Sequence, residues 1–307
     1  MLDMAFVILN YNIFKETVDC VKSIRQMIDT QKYHIVIVDN GSNNGSFEKL
    51  QNEFNGANDV SCISSGGNLG FARGNNAGIH YVRKLYSARF ICCLNNDTLL
   101  EQGDFYQNLV SCYEQSHAAV VGPKVILRNG VTQPLMGGLQ SLEEYERQLR
   151  ILTTGVSVLS TRKKIKQWLL KFSIVAGANR IRHHILGHDR LIAEALSKTN
   201  TPHKDIVLHG CCLVFTPEFF ERCNGFNPRT FMFREEELLF LMIQRAGLHT
   251  VYEPSLQIRH LEDVSTDTVY KRSVEKEKFL KENQIKSLGV LIDELKQNNS
   301  GGTFVLK

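Results

Sequence analysis

Three short, nearly unbroken apolar runs in the first hundred residues, each stopped by a polar cluster, constrain the fold more than any other feature. Ala5-Phe-Val-Ile-Leu9 stops at Asn10-Tyr11-Asn12, and His34-Ile-Val-Ile-Val38 stops at Asp39-Asn40-Gly41-Ser42. Phe90-Ile-Cys-Cys-Leu94 stops at Asn95-Asn96-Asp97-Thr98. Runs this short, without polar alternation, fit strands buried on both faces, as in a parallel sheet covered by helices. Val18, Val21, Ile24 and Ile28 recur at helical spacing and predict a helix over 14–29. Ser61-Cys-Ile-Ser64 reads as a further strand, leading into a glycine- and asparagine-rich loop over 66–78 and a helix through about Leu85. Strand–helix alternation predicts an α/β sheet, and ligands in such sheets bind outside the strands' carboxyl ends. The polar clusters at 10–12, 39–42, 66–76 and 95–98 are therefore expected to line one crevice.

Composition narrows the class. With 43% hydrophobic and 22% charged residues among 307, wholesale disorder and fibrous repeats are excluded. No apolar run approaches the ~20 residues of a membrane span, and Met1-Leu2-Asp3-Met4 lacks the basic start of a secretory signal. The eight cysteines sit mostly inside apolar runs, with no C-x-x-C pair and no zinc-like cluster, so a reduced, cytosolic protein is expected.

The net charge of +4 conceals a division. From Arg147 to His188 there is no Asp or Glu, but nine Lys or Arg, leaving 27 basic against 32 acidic residues elsewhere. Within this segment Ile165, Trp168, Leu169 and Phe172 share a helical face, with Lys163, Lys164, Lys166 and Lys171 around them. Either the stripe packs on the body, or a helix within 161–186 lies in an anionic membrane interface. No nucleic-acid recognition motif accompanies the charge, so a nucleic-acid partner is not expected.

Further along, Ile206–Thr216 reads as a strand, 217–223 as a short helix, 226–234 as a loop and 235–246 as a helix ended by Gly247. His249–Tyr252 reads as a strand, and 266–297 as a charged tail helix with Ile285, Leu288, Ile292 and Leu295 in one apolar stripe, packed on the body or on a partner.

Single motifs leave alternatives open. Asn95-Asn96-Asp97 suits either a divalent ion sharing phosphate oxygens or a plain Asx turn. The 66–78 loop suits close approach to a phosphate, but its glycines do not match the dinucleotide pattern G-x-G-x-x-G. Glu235-Glu236-Glu237 suits a helix N-terminus on dipole grounds and equally a general base facing the crevice. His260 alone suits a structural role.

Taken in order, the motifs V-I-L-N-Y-N (7–12), V-D-N-G-S (38–42), G-N-L-G-F-A-R-G-N-N (67–76), L-N-N-D (94–97), G-C-C (210–212), F-M-F-R-E-E-E (231–237) and His260 closely resemble the family-2 glycosyltransferases. The nearest branch resembles the rhamnosyltransferase-like enzymes of bacterial surface-polysaccharide synthesis, and the resemblance covers about residues 4–262. It implies a GT-A fold: a Rossmann-like nucleotide-binding sheet, a mixed C-terminal acceptor half and a helical tail. The implied organisation is a GT-A domain over 1–262, with a basic helical insertion at about 145–200, and a tail over 263–307.

The resemblance also implies inverting transfer from a nucleotide sugar, with dTDP-rhamnose favoured and a UDP-hexose second, to a glycan or polyprenyl-linked acceptor. A catalytically silent nucleotide-sugar-binding scaffold is the alternative of a different class. Carried over by position, Asn10, Asn12 and Asp39 would hold the nucleoside. Gly67, Asn68, Gly70, Arg73, Asn76, Asn95 and Asn96 would line the rest of the donor site. Asp97 and His260 would hold Mn²⁺ or Mg²⁺, Gly210, Cys211 and Glu235 would face the acceptor, and Glu236 would be the base. Asn95 stands where the family's D-x-D-like element begins, the base is Glu rather than the commoner Asp, and Leu238 replaces a second Asp. The implied location is cytoplasmic, or peripheral at the inner face of the membrane.

Overall fold

The computed structural model describes residues 1–154, 198–261 and 274–298. Strands β1 (Leu2–Asn10), β2 (Tyr33–Asp39), β3 (Val60–Ser64) and β4 (Ala88–Asn95) run parallel in the order β3-β2-β1-β4. Helices α1 (Lys15–Met27), α2 (Ser46–Glu53) and α3 (Gly70–Leu85) connect them. The apolar runs are unbroken because both faces are covered. In β1, Met4, Phe6 and Ile8 pack with Val18, Val21 and Ile24 of α1, while Ala5 and Val7 pack with Ala72, Ile79 and Val82 of α3. Gly74 and Gly78 bring α3 close to the sheet, since an added Cβ would lie 2.6 Å from Leu9 Cδ1 and 2.3 Å from Val7 Cγ1.

Beyond β4 the sheet becomes mixed, as expected of the C-terminal half. Among the described residues it comprises β5 (Thr98–Leu99), β6 (Val120–Leu127), β7 (His203–Lys204), β8 (Cys212–Phe215) and β9 (Thr250–His260). Strand β8 runs antiparallel to β4 and β6, and β9 runs parallel to β6, with β5 and β7 antiparallel to β9. Helices α4 (Phe105–Ser116), α5 (Leu142–Thr154), α6 (Pro217–Arg222), α7 (Glu235–Arg245) and α8 (Val274–Asn298) complete the described elements.

Two expectations need adjusting and a third is narrowed to one of its alternatives. The strand expected over 206–216 shrinks to Cys212–Phe215, because 206–211 makes loop contacts, with the Val207 N–H donating to Gly137 O. The strand expected at His249–Tyr252 runs from Thr250 on to His260, crossing Pro254 where the β6 register shifts. The tail helix expected over 266–297 is described over Val274–Asn298, 266–273 lying outside the described residues, and its Leu288, Leu291 and Ile292 are buried with Tyr145, Leu238 and Leu241. Each such burial contributes roughly 1.5–3 kcal/mol, so the stripe packs on α5 and α7 of the same chain.

No described helix is long and apolar enough to cross a membrane. All eight cysteines are unpaired. Arg147 pairs with Glu144 on α5, whereas the proposed interfacial helix within 161–186 lies outside the described residues.

Candidate active site

Register assembles the crevice. At the carboxyl ends of the parallel strands Asn10 lies beside Asp39, Asp39 beside Ser64, and Leu9 beside Asn95. Antiparallel β8 starts where β4 ends, with Leu94 opposite Cys212, which delivers Gly210 and Cys211 to the same edge. Antiparallel pairing of Thr98 with His260 brings the end of β9 to Asp97. Residues more than two hundred positions apart thus converge on one sheet edge.

The residues of the first two polar clusters form a largely buried network with Thr17 and Asn96. Asn10 is fully buried and its Nδ2 donates to Asp39 Oδ1 at 3.0 Å. Thr17 Oγ1 donates to Asn10 Oδ1 at 2.9 Å, and Asn96 Nδ2 donates to Thr17 Oγ1 at 3.0 Å. The Ser42 N–H donates to Asp39 Oδ2 at 3.0 Å. Asn12 sits in the left-handed region (φ 58°), a conformation asparagine tolerates, and its N–H donates to Ser42 Oγ while its Oδ1 accepts from the Asn43 N–H. The four polar clusters do meet.

The glycine loop is held from below by Asn40. Its Oδ1 accepts from the Leu69 N–H, and its Nδ2 donates to Asn68 Oδ1 and Gly70 O. Gly70 has φ +79°, and a Cβ there would lie 2.0 Å from Phe231 O, so only glycine fits between loop and neighbour. Gly67 is open, with nothing within 4 Å of an added Cβ, and Arg73 is exposed, its Nε donating to Leu69 O. Asn76, expected among the donor-site residues, lies elsewhere: its Nδ2 donates to Phe226 O and its Oδ1 accepts from the Phe226 N–H. That amide pins α3 to a loop and is committed on both ends.

Asp97 and His260 meet at 3.2 Å between Oδ1 and Nε2, and both are buried. His260 Nδ1 is buried with no hydrogen-bond partner among the described residues. The Asp97 carboxylate and the His260 Nε2 that faces it are an oxygen–nitrogen donor pair that fits a divalent ion completing its shell from a phosphate ligand. Among the described residues no three His, Cys, Asp or Glu side chains converge as a self-sufficient metal cage. His209, which sequence reasoning passed over, lies with its ring centroid 5.9 Å from that of His260. Burial pushes its imidazole down to about 4, His260 acts in the same direction and Asp97 opposes it, so His209 is neutral near pH 7. The Cys211 N–H donates to its Nδ1, and Cys211 O accepts from the Asn95 N–H.

The three glutamates opening α7 point in different directions, as 100° per residue requires. Glu237 is buried and structural, accepting two hydrogen bonds from Arg234 Nη1 at 2.8 and 2.9 Å and one from Tyr145 Oη at 2.9 Å. Glu236 lies over Gly210, where an added Cβ would sit 2.5 Å from its Oε1. Burial raises its carboxyl above the usual range, opposed by hydrogen bonds from its own N–H and that of Gly210. Glu235 is 5% exposed and its Oε1 has no partner. Burial, reinforced by neighbouring Glu236, pushes it up to about 8, so this carboxyl is protonated at neutral pH. Leu238, standing where the resemblance expects an Asp, is 2% exposed in the apolar cluster beneath α8.

The residues missed from sequence are Thr17, Asn40, Ser42, Tyr145 and His209. Asn40 and Ser42 lie inside a polar cluster already singled out, and His209 directly precedes Gly-Cys-Cys; Thr17 and Tyr145 carry no local signal.

Comparison with known proteins agrees with this fold. The chain is 24% identical over 129 residues to the low-salt glycan biosynthesis hexosyltransferase Agl10 of Haloferax volcanii, covering 42% of this chain and 38% of that protein. Its fold is similar to the mannosyltransferase PcManGT from Pyrobaculum calidifontis in complex with GDP-Man and Mn²⁺, at TM-score 0.51 and 12% identity, covering 98% and 76% of the two chains. It is also similar to GalNAc-T7 with UDP, GalNAc and Mn²⁺, at TM-score 0.56 and 13% identity over 91% and 48%. For S. aureus TarS the TM-score is 0.51 at 11% identity over 85% and 60%. These likenesses establish a GT-A fold. The sequence profile of glycosyl transferase family 2 matches residues 5–185, more than half of the chain, which therefore belongs to that family.

Proposed function

We propose that this protein is an inverting glycosyltransferase that moves a sugar from a nucleotide donor to a hydroxyl of a glycan or lipid-linked glycan. The observation that carries this is the placement of the Glu236 carboxylate over side-chain-free Gly210, at the sheet edge that also holds Asp97 and His260.

In this reading the Asn10–Asp39–Ser42 network, buried at Asn10 and Asp39, receives the nucleoside, and the Asn40-braced loop at 67–70 lies along the diphosphate. Asp97 and His260 would hold a divalent ion, whose chemistry there would be charge neutralisation of the diphosphate. Glu236 accepts the proton of the acceptor hydroxyl as that oxygen bonds to the anomeric carbon. The bond from that carbon to the diphosphate oxygen breaks on the opposite face, so configuration inverts. A base whose pKa is raised toward the working pH takes a proton more readily, and such assistance is typically worth ~10²–10⁴-fold. Protonated Glu235 stands beside it on the acceptor side as a neutral hydrogen-bond donor.

The resemblance to rhamnosyltransferase-like enzymes favours dTDP-rhamnose as donor. Similarity to a protein described as a hexosyltransferase supports a UDP-hexose as the second reading. A thermal-shift panel of dTDP-rhamnose, UDP-glucose and GDP-mannose, with and without Mn²⁺, tests both. One donor should stabilise the protein, and Mn²⁺ should enhance that stabilisation in wild type but not in Asp97→Ala. No shift with any nucleotide sugar overturns the reading.

A further inference from the structure

The segment that carries the proposed base is held from outside by α8. Phe233 and Arg234, immediately before α7, both adopt positive φ (73° and 68°), a conformation that side-chain-bearing residues keep only when their surroundings impose it. Helix α8 touches this turn at several points. Ser287 Oγ donates to Met232 O at 2.7 Å, and the Phe279 ring meets the Phe231 ring edge-on at 6.0 Å. Glu294 bridges the two flanks: its Oε1 accepts from Arg229 Nη1 at 2.9 Å and Asn227 Nδ2 at 3.3 Å, before the turn. Its Oε2 accepts from Arg245 Nη1 at 2.7 Å, at the far end of α7. From the opposite side, the Phe71 N–H of the donor loop donates to Phe231 O.

We propose that α8 is a clamp that positions the base, with Ser287 and Glu294 as its positioning residues. Glu294 ties both flanks of Arg229–Arg245 to one carboxylate, and Ser287 fixes the carbonyl preceding the strained pair. Phe231 is shared between α8 and the donor loop, so the clamp also sets the spacing between donor and base. The proposal rests on Glu236 being that base. Neither Ser287 nor Glu294 is placed against substrate, so their effect must pass through the position of Glu236.

The test uses the full chain carrying Ser287→Ala, Glu294→Gln or both, with Lys281→Ala, an exposed α8 position, as control and Glu236→Gln alongside. The double variant should lower kcat about tenfold, since misplacing a catalytic group by about 1 Å costs up to about 10²-fold. Donor affinity, read by calorimetry with dTDP-rhamnose and UDP-glucose, should stay within about twofold. Hydrogen exchange of amides 229–236 should accelerate in the double variant and remain unchanged in Lys281→Ala. Unchanged kcat in the double variant, with Glu236→Gln inactive, overturns the clamp and leaves the base in place. Full turnover by Glu236→Gln overturns the base and with it the positioning role, whereas unchanged protection at 229–236 in the double variant refutes the clamp whatever the base.

Discussion

Gly210→Ala tests the proposed base, Glu236, separately from everything else in the crevice. Gly210 has no positive φ, so its backbone accepts alanine without strain, and Gly→Ala at such a site typically stabilises by about 0.4–1 kcal/mol through the unfolded chain. The three nearest atoms to the added Cβ all belong to Glu236: Oε1 at 2.5 Å, Cδ at 3.1 Å and Cγ at 3.3 Å. No backbone stands in the way, so the fold yields cheaply by rotating one side chain, and net stability should stay within about 1 kcal/mol of wild type. The rotation displaces the carboxylate by about the overlap that must be relieved, of order 1 Å. Misplacement on that scale costs about 10²-fold, within the ~10²–10⁴-fold attributable to a general base. Initial rates with the active donor, paired with calorimetric donor affinity and a urea melt, separate these effects. The expected pattern is kcat lower by about 10²-fold with affinity and stability nearly unchanged. If kcat stays within about threefold of wild type, Glu236 does not act from the position it occupies over Gly210.

Glu235 makes a pH-dependent prediction. Its folded pKa of about 8 lies above the unfolded value, so the protein binds a proton there that the unfolded chain releases. The stabilising contribution is complete below the unfolded pKa and is lost as pH rises through about 8. Glu235→Gln, neutral throughout, should therefore gain stability relative to wild type between about pH 5 and 8.5, by a few kcal/mol in order of magnitude. Parallel melts across that range check it, and a constant difference refutes it. The raised pKa of Glu236 predicts that kcat/KM rises with pH on its acid limb, with a midpoint above the ordinary Glu value of ~4.3. Leu238→Asp places a charge in the apolar cluster formed by Tyr145, Leu241 and α8. It should destabilise by about 4 kcal/mol in a urea titration; a loss below about 1 kcal/mol contradicts the packing described.

The parallel half of the sheet was legible because burial on both faces removes polar alternation, which is why β1, β2 and β4 stand out as bare apolar runs. The polar clusters that follow them were legible for the complementary reason: buried strands end where the ligand edge begins. The acceptor half was harder to read. Strand β6 and helix α4 occupy 105–127, a stretch whose pattern yielded no assignment, and residues 206–211 look strand-like but spend their backbone groups on loop contacts.

Within the site, residue type indicated polarity but not commitment. Asn76 and Asn40 read alike in sequence, yet one is consumed by the Phe226 backbone and the other braces the glycine loop. Three adjacent glutamates were equally ambiguous until the helix separated them, sending one to Arg234, one over Gly210 and one into burial with an unsatisfied Oε1. The role of Leu238 is set by α8, some fifty residues away in sequence, which no local pattern reveals.

The central claim is that Glu236 takes the acceptor proton, and Glu236→Gln tests it most directly. Glutamine keeps the shape and removes the basicity. Turnover with the active donor should fall by about 10²–10⁴-fold, with calorimetric donor affinity within about threefold of wild type. Turnover within a few-fold of wild type, with donor affinity intact, would contradict the claim.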